Sequence, residues 1–188
     1  NGLRLAAQAG ALRDAGLERV NVSLDTLDRD RFKAMTHRDR FDDVIAGLAA
    51  AKAVGLAPVK VNTVLMPGVN DDEAVPMLRR ALDEGWRLRF IEQMPLDAGG
   101  IWNRASMVTA ERILDDLSQA FDLTPVPVRG SAPAEEFFVD GGPETVGIIA
   151  SVTRPFCGNC DRMRLTADGQ LRNCLFARDE LDLRAVLR

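Results

Sequence analysis

Short β-rich runs separated by single amphipathic stripes fill the first two-thirds of the chain, and that alternation leaves few architectures open. Leu5, Ala9 and Leu12 share a helical face, and Gly16 stands where a C-cap glycine belongs. Residues 19–25 (Arg-Val-Asn-Val-Ser-Leu-Asp) form the first β-rich run. Phe41, Val44, Ile45 and Leu48 keep the i, i+3, i+4, i+7 spacing of a helix that Gly55 stops. Residues 59–66 (Val-Lys-Val-Asn-Thr-Val-Leu-Met) are the clearest strand, broken by Pro67-Gly68. Ala74, Met77, Leu78, Ala81 and Leu82 mark a further helix that ends at Gly85, with Pro76 leaving its start unsettled. Residues 87–92 read as a third strand. Strands separated by single helices need crossover connections, so the sheet should be parallel.

Side-chain parity bears on the kind of sheet. Asn21 and Ser23 share a face, as do Lys60 and Asn62, and Arg87 and Arg89. Strands of a doubly wound sheet are covered on both faces and read as continuous apolar runs. One polar face on each of three strands suits instead a wide or incomplete barrel with a polar ligand in its lumen. An edge strand with one wet face is the plainer alternative.

The pattern changes after Met94. Residues 95–103 read as a loop with Gly99-Gly100, and Ile113, Leu114, Leu117 and Phe121 as a helix capped by Thr109. Proline and glycine dominate 124–131. Two hairpins follow: 136–139 with 146–152 around Asp140-Gly141-Gly142, and 162–166 with 170–175 around Ala167-Asp168-Gly169. The expected division is therefore an α/β region over 1–104 and a more β-rich region over 105–188.

Composition narrows the function classes. At 188 residues the chain can bury a proper core, and its 46% hydrophobic content is that of a globular protein. The net charge of -4, with aromatics at 5%, argues against a nucleic-acid-binding coat or a membrane-surface binder. No apolar run approaches the ~18 residues of a membrane span. The first residue is Asn1 and the last, Arg188, falls in a helical run, so a piece of a longer protein is expected.

The 3 cysteines are an odd number, which excludes a complete internal disulfide framework. They are spaced Cys157-x2-Cys160-x13-Cys174. A tight turn and a hairpin arm would bring the three thiolates together, and soft thiolates select zinc or iron–sulfur clusters. A thioredoxin-like C-x-x-C lacks its βαβ context here, and small buried cysteines are the bland reading. A closed zinc site wants a fourth ligand, but the one histidine, His37, is far upstream and Asp161 adjoins Cys160 awkwardly. Three cysteines fit better a 4Fe–4S cluster with one iron open to substrate. Arg162 and Arg164 share a face, with Arg154 and Arg172 nearby. Forked guanidiniums suit phosphate, although they could equally solvate a hairpin face.

Residues 156–165 (Phe-Cys-Gly-Asn-Cys-Asp-Arg-Met-Arg-Leu) and 173–176 (Asn-Cys-Leu-Phe) resemble the second-cluster motif of the GTP 3′,8-cyclases. These are the radical S-adenosylmethionine (SAM) enzymes that open molybdenum cofactor biosynthesis. Residues 21–25, 59–64 and 89–94 resemble that family's strand motifs in the family's order, and Asn1-Gly2 resembles the end of its Thr-Asn-Gly segment. The resemblance implies an incomplete radical SAM βα barrel followed by a C-terminal β-rich cluster-binding region. It implies that Cys157, Cys160 and Cys174 hold an auxiliary 4Fe–4S cluster whose open iron meets the guanine of GTP. Lys60 and Arg89 would be the catalytic residues, reaching GTP from the barrel wall. Arg162, Met163 and Arg164 would line the GTP site by side chain or backbone, and Ser23 and Met94 would contact SAM.

The family's first-cluster motif, C-x3-C-x2-C, and its C-terminal Gly-Gly tail do not occur in these residues, so the chain alone is expected not to generate the radical. The resemblance further implies a cytoplasmic lyase with an unidentified electron donor, homodimer formation as a possibility, and cyclic pyranopterin monophosphate synthase as the next enzyme. The rival readings are another radical SAM enzyme with an auxiliary cluster and a zinc-stabilised binding module.

Overall fold

The computed structural model describes residues 1–96 and 102–188; the Gly99-Gly100 part of the expected loop lies outside them. The chain runs α1 (Leu5–Asp14), β1 (Val20–Ser23), α2 (Arg29–Thr36), α3 (Phe41–Ala53), β2 (Val59–Thr63), α4 (Ala74–Glu84), β3 (Arg87–Ile91) and α5 (Ala110–Ser118). It continues through β4 (Leu123–Pro125), β5 (Glu135–Val139), β6 (Thr145–Ile149), a single 3₁₀ turn (Cys157–Asn159), β7 (Arg164–Leu165), β8 (Gln170–Arg172), β9 (Leu181–Asp182) and α6 (Leu183–Leu187). One sheet has the order β1-β2-β3-β6-β5-β4, and a small second sheet the order β7-β8-β9. Among the described residues no helix is long and apolar enough to cross a membrane.

β1, β2 and β3 pair in parallel, as single-helix crossovers require. β6 is reached through an antiparallel hairpin with β5, yet it lies parallel to β3. The hairpin pairing was legible in the sequence; the addition of β6 to the parallel strands was not. The sheet therefore runs without a break from the βα units into the chain beyond residue 105.

The helices build one apolar layer. Val44, Leu48 and Ala51 of α3, Met77, Leu78 and Ala81 of α4, and Ile113 and Leu117 of α5 are buried in one cluster with Val22, Val61, Leu88, Phe90 and Ile148 of the strands. The alternate strand residues Asn21, Lys60, Asn62, Arg87 and Arg89 are half-buried or exposed. The sheet thus has one helix-covered face and one polar face.

Local departures from expectation have physical causes. α2 carries no apolar stripe, and only its Phe32 is buried. It is instead set by Asp28, whose carboxylate accepts from the Arg31 amide at 2.8 Å, and by an edge-to-face contact of Phe32 with Phe41 at 5.7 Å. Pro76 is the third residue of α4, where its missing N–H has no intrahelical acceptor to lose. β2 ends at Thr63 rather than 66 because side chains capture the next backbone groups. Asp25 accepts from the Val64 amide at 2.9 Å, and buried Asn70 donates to the Val64 carbonyl at 3.0 Å while accepting from the Met66 amide at 2.7 Å. The second hairpin is shorter than expected, so Arg162 precedes its first strand and Cys174 follows its second.

Candidate active site

The polar sheet face is organised in rows. Register places Ser23 opposite Asn62, Asn62 opposite Arg89, and Arg89 opposite Gly147; in the adjacent row Asn21 faces Lys60 and Lys60 faces Arg87. Arg89 donates from Nε to Asn62 Oδ1 at 3.1 Å and from Nη2 to Asn21 Oδ1 at 2.7 Å. Burial pulls the Lys60 ammonium below its ordinary pKa and the neighbouring Arg89 adds to this, while Glu136 pulls the other way. Burial likewise lowers the pKa of Arg89, again opposed by Glu136. Asp25, at the end of β1, is pushed up by burial and partly pulled back by the Val64 amide. The result is a sheet face of cations and amides, with one carboxylate acting on the two central cations.

At the C-terminal ends of β3 and β6, Ile91 and Ile149 open onto a cavity of about 470 Å³. Cys157, Cys160 and Cys174 all line it, with Arg162, Arg164 and Met94. Open α/β sheets bind ligands beyond the carboxyl ends of their strands, and this cavity lies at that edge. The 3₁₀ turn holds the first pair, with the Cys160 amide donating to the Cys157 carbonyl at 3.3 Å. Two sulfurs accept hydrogen bonds: Cys160 Sγ from Arg162 Nε and Cys174 Sγ from the Phe176 amide, each at 3.4 Å. The Arg162 amide and then its guanidinium lower the Cys160 pKa, which favours the thiolate. All three cysteines are free thiols. Among the described residues no three His, Cys, Asp or Glu side chains form a single-ion site; the cysteines surround a cavity rather than a point.

The structure sorts the residues singled out from sequence into two groups. Ser23, Lys60 and Arg89 lie on the polar sheet face, and Met94, Arg162, Arg164 and the cysteines line the cavity beyond it. The Met163 side chain belongs to neither: it is 71% exposed and lines a separate pocket with Leu171 and Leu181. Of the four arginines expected around the cysteines, Arg154 pairs with Glu135 at 3.4 Å and Arg172 pairs with Glu180. His37 closes α2 in the left-handed conformation, far from the thiols in sequence and in role.

Two features of the site were not anticipated. Two guanidiniums approach the Phe156 ring, Arg129 at 5.1 Å and Arg162 at 4.9 Å from its centroid. Arg129 also donates to the Pro133 carbonyl at 2.5 Å within the loop between β4 and β5, so its contact with Phe156 ties that loop to the cysteine turn. Glu92, 1% exposed, accepts from the amides of Ala110, Val152 and Thr153 at 2.8–2.9 Å and from the Thr153 hydroxyl. It joins the end of β3 to the first turn of α5 and to the segment leading into Cys157. The signal was present: Leu88, Phe90 and Glu92 share the buried parity, and a carboxylate there must be fully hydrogen-bonded.

An α/β chain with a parallel-rich sheet, a polar face and a cysteine-lined cavity at the strand ends defines the class, and residues 1–81 match the model of the Radical SAM superfamily. Residues 86–188 match the model described as Molybdenum Cofactor Synthesis C, and the chain belongs to that family. It is 63% identical over 190 residues to a protein named GTP 3′,8-cyclase from Streptomyces coelicolor, covering 100% of this chain and 56% of that one. It is 59% identical over 189 residues to a GTP 3′,8-cyclase from Mycobacterium sp. (strain KMS), covering 100% of this chain and 54% of the relative. A GTP 3′,8-cyclase 2 from Mycobacterium tuberculosis is 56% identical over 193 residues, with 100% and 54% covered. The chain spans about half the length of the curated relatives it matches.

Proposed function

We propose that these residues are the later part of a GTP 3′,8-cyclase of molybdenum cofactor biosynthesis, with the sheet as part of a radical SAM barrel and residues 105–188 as its cluster- and GTP-binding region. The observation that carries this reading is the cavity shared by three cysteines and two arginines at the strand ends, beside a cationic sheet face. The donor set fits an auxiliary 4Fe–4S cluster: three thiols, with N–H donors on two sulfurs, around a space larger than a single ion. Cys157, Cys160 and Cys174 would hold that cluster, whose open iron would meet the guanine. When bound, the first cluster and SAM supply the 5′-deoxyadenosyl radical chemistry that cyclises GTP to 3′,8-cyclo-7,8-dihydro-GTP.

This chain's own residues bind and orient. Lys60 offers a point charge and Arg89 a forked donor to the triphosphate, while Arg162 and Arg164 face the same ligand from the cysteine side. Met163 contributes through its backbone, since its side chain turns elsewhere. Ser23 supplies a hydroxyl and Met94 a soft apolar contact to SAM at the strand ends. Ile91, Ile149 and Phe156 give the cavity apolar walls that keep water from a reactive intermediate. With 3 cysteines in all, these residues hold ligands for one cluster, and by themselves would not make the radical. The setting is cytoplasmic; GTP and SAM are the ligands, an unidentified reductant the electron source, and cyclic pyranopterin monophosphate synthase the consumer of the product. Homodimer formation belongs to the same reading.

Anaerobic reconstitution with iron and sulfide tests it. About four iron and four acid-labile sulfide should bind per set of three cysteines. One tightly held zinc with no sulfide would overturn it in favour of a zinc-stabilised module.

A further inference from the structure

Arg89 is half-buried in the middle of the sheet, where a cation is ordinarily neutralised by a carboxylate. Its two side-chain partners are instead the amide oxygens of Asn62 and Asn21, one on each of the two preceding strands. A guanidinium has five N–H donors; two are taken, which leaves three, and none of its charge is cancelled by those partners.

The third contact is an absence of side chain. Gly147 lies opposite Arg89 in the register between β3 and β6. A Cβ at Gly147 would stand 2.9 Å from Arg89 Cγ, 3.4 Å from its Cδ and 3.2 Å from Ala134 Cβ. Gly147 is not among the positive-φ glycines, so backbone conformation does not require it. Space for the Arg89 stem does.

We infer that Asn21, Asn62 and Gly147 form a charge-neutral cradle that positions Arg89, holding its guanidinium in place across three strands without a carboxylate as a direct partner, so that its charge, opposed from farther off by Glu136, is offered to an anionic ligand. All three are positioning residues. The inference rests on the reading that Arg89 meets a triphosphate, and deepens it: neutral holders are what an anion-binding arginine needs, whereas a purely structural arginine would gain from carboxylates. In the adjacent row Lys60 feels the positive charges of Arg89, Arg87 and Arg19, opposed by Glu136, the same carboxylate that acts on Arg89.

The test uses the full-length protein carrying these residues, titrated with GTP and with inorganic triphosphate in the absence of SAM and reductant. Arg89→Ala should weaken binding of both. Asn62→Asp and Asn21→Asp keep size and the hydrogen bond but pair the charge, and each should weaken binding by about tenfold. Asn21 is exposed, so its replacement leaves folding untouched even where Asn62→Asp disturbs it. Gly147→Ala should also weaken binding, by displacing the arginine stem. If Arg89→Ala weakens binding but both aspartate variants bind as the parent does, the neutral cradle is wrong and the triphosphate reading stands. If Gly147→Ala binds as the parent does, Gly147 leaves the cradle. If Arg89→Ala itself changes nothing, the triphosphate reading at Arg89 falls and the cradle with it.

Discussion

The chain up to Ala150 and the chain after it are held by different means. Among the described residues the first carries the apolar core, from Ala9 to Ala150, and its buried polar side chains Thr26, Thr63, Asn70, Glu73 and Glu92 are each hydrogen-bonded. The second contains all three cysteines, three strands of two or three residues, and no buried residue at all. A segment of that size without a core gains little from apolar burial. Its order has to come from local hydrogen bonds, from the Phe156 and Glu92 links to the first part, and from whatever its thiols bind, because metal binding is folding free energy for such segments. The apolar core and the thiols are therefore separable.

The largest effect should come from the core. Phe90→Ala should cost about 3–5 kcal/mol, since Phe90 is 0% exposed. Leu181→Ala, at 56% exposed, should stay within about 0.5 kcal/mol. Equal losses in urea unfolding would break the contrast. Next, Cys174→Ser in the full-length protein should lower turnover by about a hundredfold and remove the auxiliary cluster's share of the iron and iron–sulfur absorbance, leaving the first cluster's, with the sheet's unfolding midpoint unchanged. A large fall in that midpoint would show that the two parts are not separable.

Glu92→Gln sharpens the comparison at the joint. Its amide brings N–H groups toward the donors of Ala110, Val152 and Thr153, and should cost about 1–3 kcal/mol. Hydrogen exchange should rise first at 151–153, ahead of β3. The smallest effect concerns Lys60, whose pKa lies below its ordinary 10.5 because of burial and Arg89. Triphosphate affinity should decline as pH rises toward that depressed value, earlier than an ordinary lysine would allow. Stability should move the other way: the unfolded chain binds the extra proton, so this group's unfavourable contribution fades as pH climbs from the folded towards the unfolded pKa. Titration calorimetry and thermal melts between neutral and alkaline pH read the two trends.

The βα units were legible because their signals are local: apolar spacing for α3 to α5, and alternation for β2 and β3. The polar face was legible from parity alone, since Lys60, Asn62 and Arg89 break the apolar run every second residue. α2 was not, because Asp28 and the Phe32–Phe41 contact stabilise it in place of a stripe. Nor was the place of β6 beside β3, which depends on pairing between residues some sixty positions apart. The cysteine spacing was plain, but the diversion of Arg154 to Glu135 and Arg172 to Glu180 depends on tertiary neighbours, and so does the turning away of Met163.

β6 runs in the same direction as β1, β2 and β3, although the hairpin that delivers it is antiparallel. That orientation decides where the chain emerges. Five residues of strand span about 17 Å. Had β6 docked against β3 in the opposite sense, the turn bearing Cys157 would have left the sheet that far away, at the edge where the helices end and the strands begin. Instead Ser23, Met94 and the cysteine turn depart from one rim. The β4–β5–β6 meander thus works as a switchback: its two reversals bring the last stretch of chain out on the same side as the C-terminal ends of β1, β2 and β3.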